Sequence, residues 1–151
     1  MKVVVPAERE PETRVPMLPQ DVRTLKNLGA ELSVEKGLGK SLNISDEEYG
    51  KSEARVVEDI TEELKNADLV LRMHPPRPED VSLLKPGAIH VSYMDPFNNR
   101  ELVDAFARHK ISAISLEMIP RITVAQKMDV LSSQANLAGY VAVLLATTRL
   151  K

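Results

Sequence analysis

A three-layer α/β domain, built on a mostly parallel sheet with helices on both faces and a long C-terminal helix, is predicted by two observations. Short apolar runs alternate with helical segments along the chain, and strands buried on both faces of a parallel sheet read in this way. The length of 151 residues leaves room for one compact domain at the usual scale of roughly 100–200 residues per domain. Composition agrees with both, since 43% hydrophobic and 28% charged residues are ordinary for a globular chain and exclude disorder and coiled coil.

Each element follows from its residues. Strands are predicted at Val3 to Val5, Glu31 to Glu35, Ala54 to Val57, Asp68 to Arg72, Ala88 to Tyr93 and Ser112 to Leu116. Pro19 opens a helix with Val22, Leu25 and Leu28 on one face, and Gly29 supplies its left-handed cap. Ser45 with Glu48 is a capping-box pair for a helix of about two turns ending near Gly50. Ile60 to Asn66, Glu79 to Leu84 and Asn99 to His109 read as the later helices, and Lys85-Pro86-Gly87 as a turn. Val130 to about Thr148 is the longest helix, carrying Leu131, Leu137, Val141, Leu144 and Leu145. The order of elements is that of a flavodoxin- or Rossmann-like fold.

Several function classes fall away. A net charge of −2 offers no field for a phosphate backbone, so nucleic acid is not an expected partner. The absence of cysteine removes disulfides, thiolate nucleophiles and cysteine-ligated zinc. His74, His90 and His109 show no metal-ligand spacing, and no metal is expected. Val3-Val4-Val5 is cut by Pro6, which is not a signal-peptide pattern. The run from Leu137 to Ala146 falls short of the roughly 18 residues of a membrane span, so a cytoplasmic location is expected. No G-x-G-x-x-G follows any strand, and Gly37-Leu38-Gly39 lacks the third glycine. The chain therefore carries no backbone cradle for a dinucleotide pyrophosphate.

Ligands of open parallel sheets bind beyond the carboxyl ends of the strands. That rule selects Arg9 and Arg14 after the first strand, Arg72, Met73 and His74 after the fourth, and Met94, Asp95 and Pro96 after the fifth. Glu117 and Arg121 follow the sixth. Arg14 reads equally as a carboxylate or phosphate contact and as a surface arginine pinning a long loop. Pro75-Pro76-Arg77-Pro78 reads as a stiff crevice loop.

The segment from Pro120 to Tyr140, with Arg121, Gln126, Asp129 and Ser132 ahead of Ser133-Gln134-Ala135-Asn136-Leu137-Ala138-Gly139-Tyr140, carries a more specific signal. It resembles the N-terminal region of the alpha subunit of proton-translocating NAD(P) transhydrogenase, which shares its fold with alanine dehydrogenase. Val5-Pro6, Glu8-Arg9-Glu10 and Glu12-Thr13-Arg14-Val15 resemble that family's opening. The resemblance implies an N-terminal α/β domain over residues 1–129 and a connecting helix over 130–151, ahead of an NAD-binding Rossmann domain that this chain lacks.

It also implies an enzyme component: hydride transfer from NADH to NADP⁺, coupled to proton translocation in the full complex. In that reading Arg121, Asp129 and Ser132 contact the carboxamide and ribose side of NAD(H), and Gln126 reaches toward the second nucleotide. Arg121, Gln126 and Asp129 are then the catalytic candidates and Arg14 a substrate-binding one. The isolated chain is expected to be inactive and to bind NAD(H) weakly. NADP(H) would sit on a partner component, and the partners would be the NAD-binding half, the NADP(H)-binding component and a membrane component. The location would be cytoplasmic and peripheral to that membrane complex, with a homodimer among the assemblies the reading allows.

Blander readings stand beside these. Asp129 also fits an ion pair with Arg121 or the N-cap of the last helix, and Ser132 and Ser133 also fit a helix start. His74 stands where alanine dehydrogenases carry a substrate lysine, and Asp95 close to where they carry a histidine, so amino-acid oxidation is the weaker relative. A non-enzymatic interaction or regulatory α/β module is the alternative from another class.

Overall fold

A computed structural model of the chain describes residues 1–150. Six strands form one sheet: β1 (Lys2–Val5), β2 (Glu31–Glu35), β3 (Arg55–Val57), β4 (Leu69–Leu71), β5 (Ile89–Ser92) and β6 (Ser112–Ser115). Their order is β3-β2-β1-β4-β5-β6, and every pairing is parallel. The sheet is thus wholly parallel, where the sequence predicts mostly so.

Helices α1 (Pro19–Asn27), α2 (Asp46–Lys51), α3 (Thr61–Lys65) and α4 (Arg100–Arg108) cover the two faces. Strand alternation decides which core each residue joins. Val3, Val5, Leu32 and Val34 point toward Val22 of α1 and Tyr49 of α2. Val4 and Val70 point the other way, toward Leu64 of α3 and toward Leu102 and Phe106 of α4. Gly29 closes α1 at φ +84°, and the Ser45–Glu48 capping box opens α2. The Tyr49 hydroxyl, fully buried, donates to the carbonyl of Met17 at 2.9 Å.

Two expectations need correction. Glu79 to Leu84 is not an α-helix but one 3-10 turn, Asp80–Leu83. Pro78 before it and Lys85-Pro86 after it leave too few residues to close i→i−4 bonds. The last helix, α5 (Val130–Arg149), contains an apolar run too short to predict a membrane span, yet by length and composition the whole helix is long and apolar enough to form one. The polar residues of its first two turns, Ser132, Ser133, Gln134 and Asn136, are uncharged, and its one charge, Arg149, stands at its end, so the apolar run is interrupted without the large penalty of a central charge.

None of α5 is buried, and its main packing partner is the 3-10 turn Leu116–Met118. Total accessible surface is 9848 Å², against about 7,700 Å² for a compact 16.8 kDa protein. The projecting helix accounts for the excess.

Candidate functional site

Strands β1 and β4 are neighbours whose connections run to opposite faces, so their carboxyl ends form the crevice of a doubly wound sheet. Three carboxylates tie the loops above it together. Glu8, after β1, accepts from the backbone N–H groups of Met73 at 2.6 Å and His74 at 3.3 Å after β4. Glu12 accepts from the backbone N–H, Nε and one terminal nitrogen of Arg14 at 2.8, 2.9 and 2.7 Å, and lies 3.0 Å from Nε2 of His74. Glu117, after β6, accepts from the backbone N–H of Met94 at 2.8 Å and from that of Asp95 after β5.

These contacts set the electrostatics. The Arg14 side chain, hydrogen-bonded to Glu12, holds that carboxyl down at about 2. Glu12 in turn raises the Arg14 guanidinium, which also lies 5.5 Å over the Tyr93 ring. Arg14 is therefore a loop-organising cation whose bidentate face is taken by its own chain. Burial alone would raise the Glu117 carboxyl, but donation from Met94, Asp95 and neighbouring groups prevails and lowers it.

His74 and Asp95 are engaged too. His74 faces Glu12, and the Asp95 carboxylate accepts from the amide of Asn98 at 3.0 and 2.9 Å in a left-handed backbone, φ +45°. Glu8, Glu12 and Glu117 knit these loops together; Glu117 is flagged in the sequence by its place after the sixth strand, whereas sequence reasoning assigns no site role to Glu8, Glu12 and Tyr93. Acidic residues in polar loops carry no pattern of their own. The only legible hint is their position just beyond strand ends.

The segment from Arg121 to Ser132 is ordered as a 3-10 stretch, Thr123–Met128, running into α5. Ala125 is its buried anchor, and Arg121, Gln126 and Ser132 are exposed. Asp129 is the N-cap of α5, accepting from the Ser132 backbone N–H at 2.9 Å and its hydroxyl at 2.6 Å. The Ser132 hydroxyl, more than any other group, holds the Asp129 carboxyl below its usual range. Of the bland alternatives for Asp129 the cap is present, and no contact ion pair joins it to Arg121. Among the described residues the side chains of Arg121 and Gln126 hydrogen-bond nothing, so both present free donors on the surface.

Comparison with known proteins agrees with the shape and the motif. The family described as "Alanine dehydrogenase/PNT, N-terminal domain" matches residues 4–138. The chain is 39% identical over 150 residues to the first of the parts that make up NAD(P) transhydrogenase subunit alpha of Rhodospirillum rubrum, covering 95% of this chain and 39% of that relative. The crystal structure of transhydrogenase from Sinorhizobium meliloti superposes with a TM-score of 0.89 at 41% identity, over 98% of this chain and 44% of that one. An L-alanine dehydrogenase structure superposes with a TM-score of 0.73 at 27% identity, over 79% of this chain and 33% of that one. The chain thus spans less than half the length of each of these relatives. Six parallel strands, a loop leading into a long helix and a match over residues 4–138 converge: the chain belongs to the alanine dehydrogenase/PNT N-terminal domain family, and it is more similar to these transhydrogenases than to that alanine dehydrogenase.

Proposed function

We propose that this chain is the NAD(H)-side component of an NAD(P) transhydrogenase, and that the segment from Arg121 to Ser132 positions the nicotinamide. One observation carries the reading. At 39–41% identity to transhydrogenases, the chain presents the unpartnered side chains of Arg121 and Gln126 beside a rigidly capped Asp129. A carboxamide offers one acceptor and two donors, and this set answers both: Arg121 donates, and Asp129 keeps a lone pair on each oxygen beyond its bonds to Ser132. The donor set fits the nicotinamide end and not the pyrophosphate, for which the chain has no glycine cradle. When bound, the reduced nicotinamide supplies the hydride. The task of the protein is placement, since the reaction requires no acid or base and is governed by approach distance. The NADP(H) component, the proton-translocating membrane component and the remaining NAD contacts belong to partners in this proposal.

The crevice disfavours amino-acid oxidation. Arg14 and His74 both face Glu12, leaving neither free for a substrate carboxylate.

The test assembles this chain with the remaining transhydrogenase components and measures NADH dissociation and single-turnover hydride transfer to NADP⁺. Asp129→Asn keeps the cap and is expected to loosen NADH. Gln126→Asn is expected to slow transfer, by on the order of a hundredfold if approach changes by about 1 Å. Unchanged values in both variants would remove the loop from the reaction.

A further inference from the structure

Arg72, the residue after β4, is a cation without a partner. Among the described residues its side chain makes no hydrogen bond or ion pair, and its Nε is sealed from solvent. Of the five N–H donors of a guanidinium, the sealed Nε–H is the one left unmet away from water, which is costly. The nearby carboxylates of Glu8, Glu35 and Asp80 favour its charge but make no contact with it. Glu8 is bound to two backbone N–H groups. Asp80 accepts from Arg77 in a bidentate pair, 2.9 Å in each arm, and lies 3.7 Å from Arg9. Burial accordingly pushes the Arg72 guanidinium below its ordinary value.

Arg72 lines a cavity of about 200 Å³ at the mouth of the β1/β4 crevice, with Arg9, Arg77 and His74 on its wall. The wall also bears Glu10 and Asp80, and Glu79, off the wall, lies 3.4 Å from Arg77; on the wall itself three arginines stand against two carboxylates, one of which is shared between two of those arginines. The three come from separate places: the loop after β1, the end of β4 and the proline-rich loop ahead of the Asp80–Leu83 turn. Cations approaching from separate elements suit an oxyanion that accepts from several directions and carries more than one charge, better than a planar carboxylate that one fork satisfies.

We propose that this cavity is a phosphate-binding site, anchored by Arg72 and supported by Arg77 and Arg9. No residue of the segment from Arg121 to Ser132 lines it, so it stands or falls separately from the nicotinamide reading. The volume admits one phosphate group, free or at the end of a nucleotide, with the rest of a larger ligand outside.

The experiment titrates the chain at constant ionic strength and follows the arginine Nε–H resonances by NMR, because a sealed Nε–H exchanges slowly enough to be seen. The probes are inorganic phosphate, adenosine monophosphate and acetate. Saturable shifts of Arg72 Nε–H with phosphate, adenosine monophosphate or both are expected at millimolar concentrations, with acetate binding at least about tenfold more weakly. Tighter binding of the nucleotide would identify a nucleotide as the source, and equal binding the free ion. Arg72→Gln is expected to abolish saturation, read on the remaining arginine and backbone resonances. Arg77→Gln alters an exposed side chain that leaves folding intact, and is expected to weaken binding at least threefold. The absence of a saturable shift, acetate binding as tightly as phosphate, or unchanged affinity in Arg77→Gln would overturn the proposal.

Discussion

His90 makes the stability of this domain depend on pH well above the carboxylate range. It sits on β5 with no exposed surface, Nε2 is 3.0 Å from the Ser92 hydroxyl, Nδ1 has no partner, and the ring lies 5.1 Å from that of Phe106. Burial, aided by the charge of Arg72, pushes its pKa from the ordinary 6.5 down to about 3. The unfolded chain therefore takes up a proton near pH 6.5, while the folded one stays neutral until about pH 3. This stabilisation is fully present above pH 6.5 and is lost as the pH falls. By linkage the loss is about 2 kcal/mol at pH 5 and about 4 kcal/mol by pH 3, a large share of the total for an ordinary domain. Carboxylates held down in the folded state, such as Glu12 at about 2, act in the same direction but only below about pH 4.5. His90→Leu removes the titration and the orphaned Nδ1. Urea unfolding followed by circular dichroism at pH 5 and pH 8 should show the wild type losing about 2 kcal/mol more than the variant. Equal losses in the two proteins, or a His90 ring that titrates near 6.5 by NMR, would refute the reasoning.

Three further outcomes follow from particular contacts. Gly39→Ala places a Cβ 2.7 Å from both Cβ and the carbonyl oxygen of Ile44 and 3.0 Å from the Tyr49 ring; thermal denaturation should show a loss of about 1–3 kcal/mol, as overpacking does. Tyr49→Phe leaves the Met17 carbonyl without its donor and should lower stability by about 1–2 kcal/mol in the same assay. Glu63, buried beneath β2, binds Ser33 at 2.9 Å, Lys2 at 2.8 Å and Arg55 at 3.2 Å, and hydrogen bonding from Lys2 before all else holds its carboxyl low. Glu63→Gln should destabilise the fold at pH 7, and the gap to wild type should close as the pH falls below the carboxylate range, measured by urea unfolding.

The two central strands are the most legible because burial on both faces leaves continuous apolar runs there: Val3-Val4-Val5 and Leu69-Val70-Leu71 admit no amphipathic alternative. Helix ends are legible where chemistry is local, at Pro19, Gly29 and the Ser45–Glu48 box. Asp80–Leu83 misleads because four residues between prolines hold too little periodicity to separate a 3-10 turn from an α-helix. The Arg121-to-Ser132 segment stands out by resemblance, and its residue types alone leave Asp129 open between cap, ion pair and ligand. The Glu8, Glu12 and Glu117 lattice is invisible in sequence because each carboxylate reaches a loop that is distant along the chain. Arg72 is marked as a candidate by its place after a strand, but its lack of a partner exists only in three dimensions.

The position of β1 has a kinetic consequence. Its residues stand near the start of the chain yet occupy the middle of the sheet, where Val3 pairs with Leu32 on one side and with Leu69 on the other. With every pair parallel, no hairpin exists to serve as a local nucleus, and each ladder must wait for a crossover to close. Folding should therefore be slow for a chain of this size. During synthesis β1 can gain its β2 neighbour early, but its other edge stays unpaired until β4 emerges. For that interval a strand whose three valines are fully buried in the folded protein is an open edge, and chaperone dependence and aggregation should be greatest for nascent chains that end between β2 and β4.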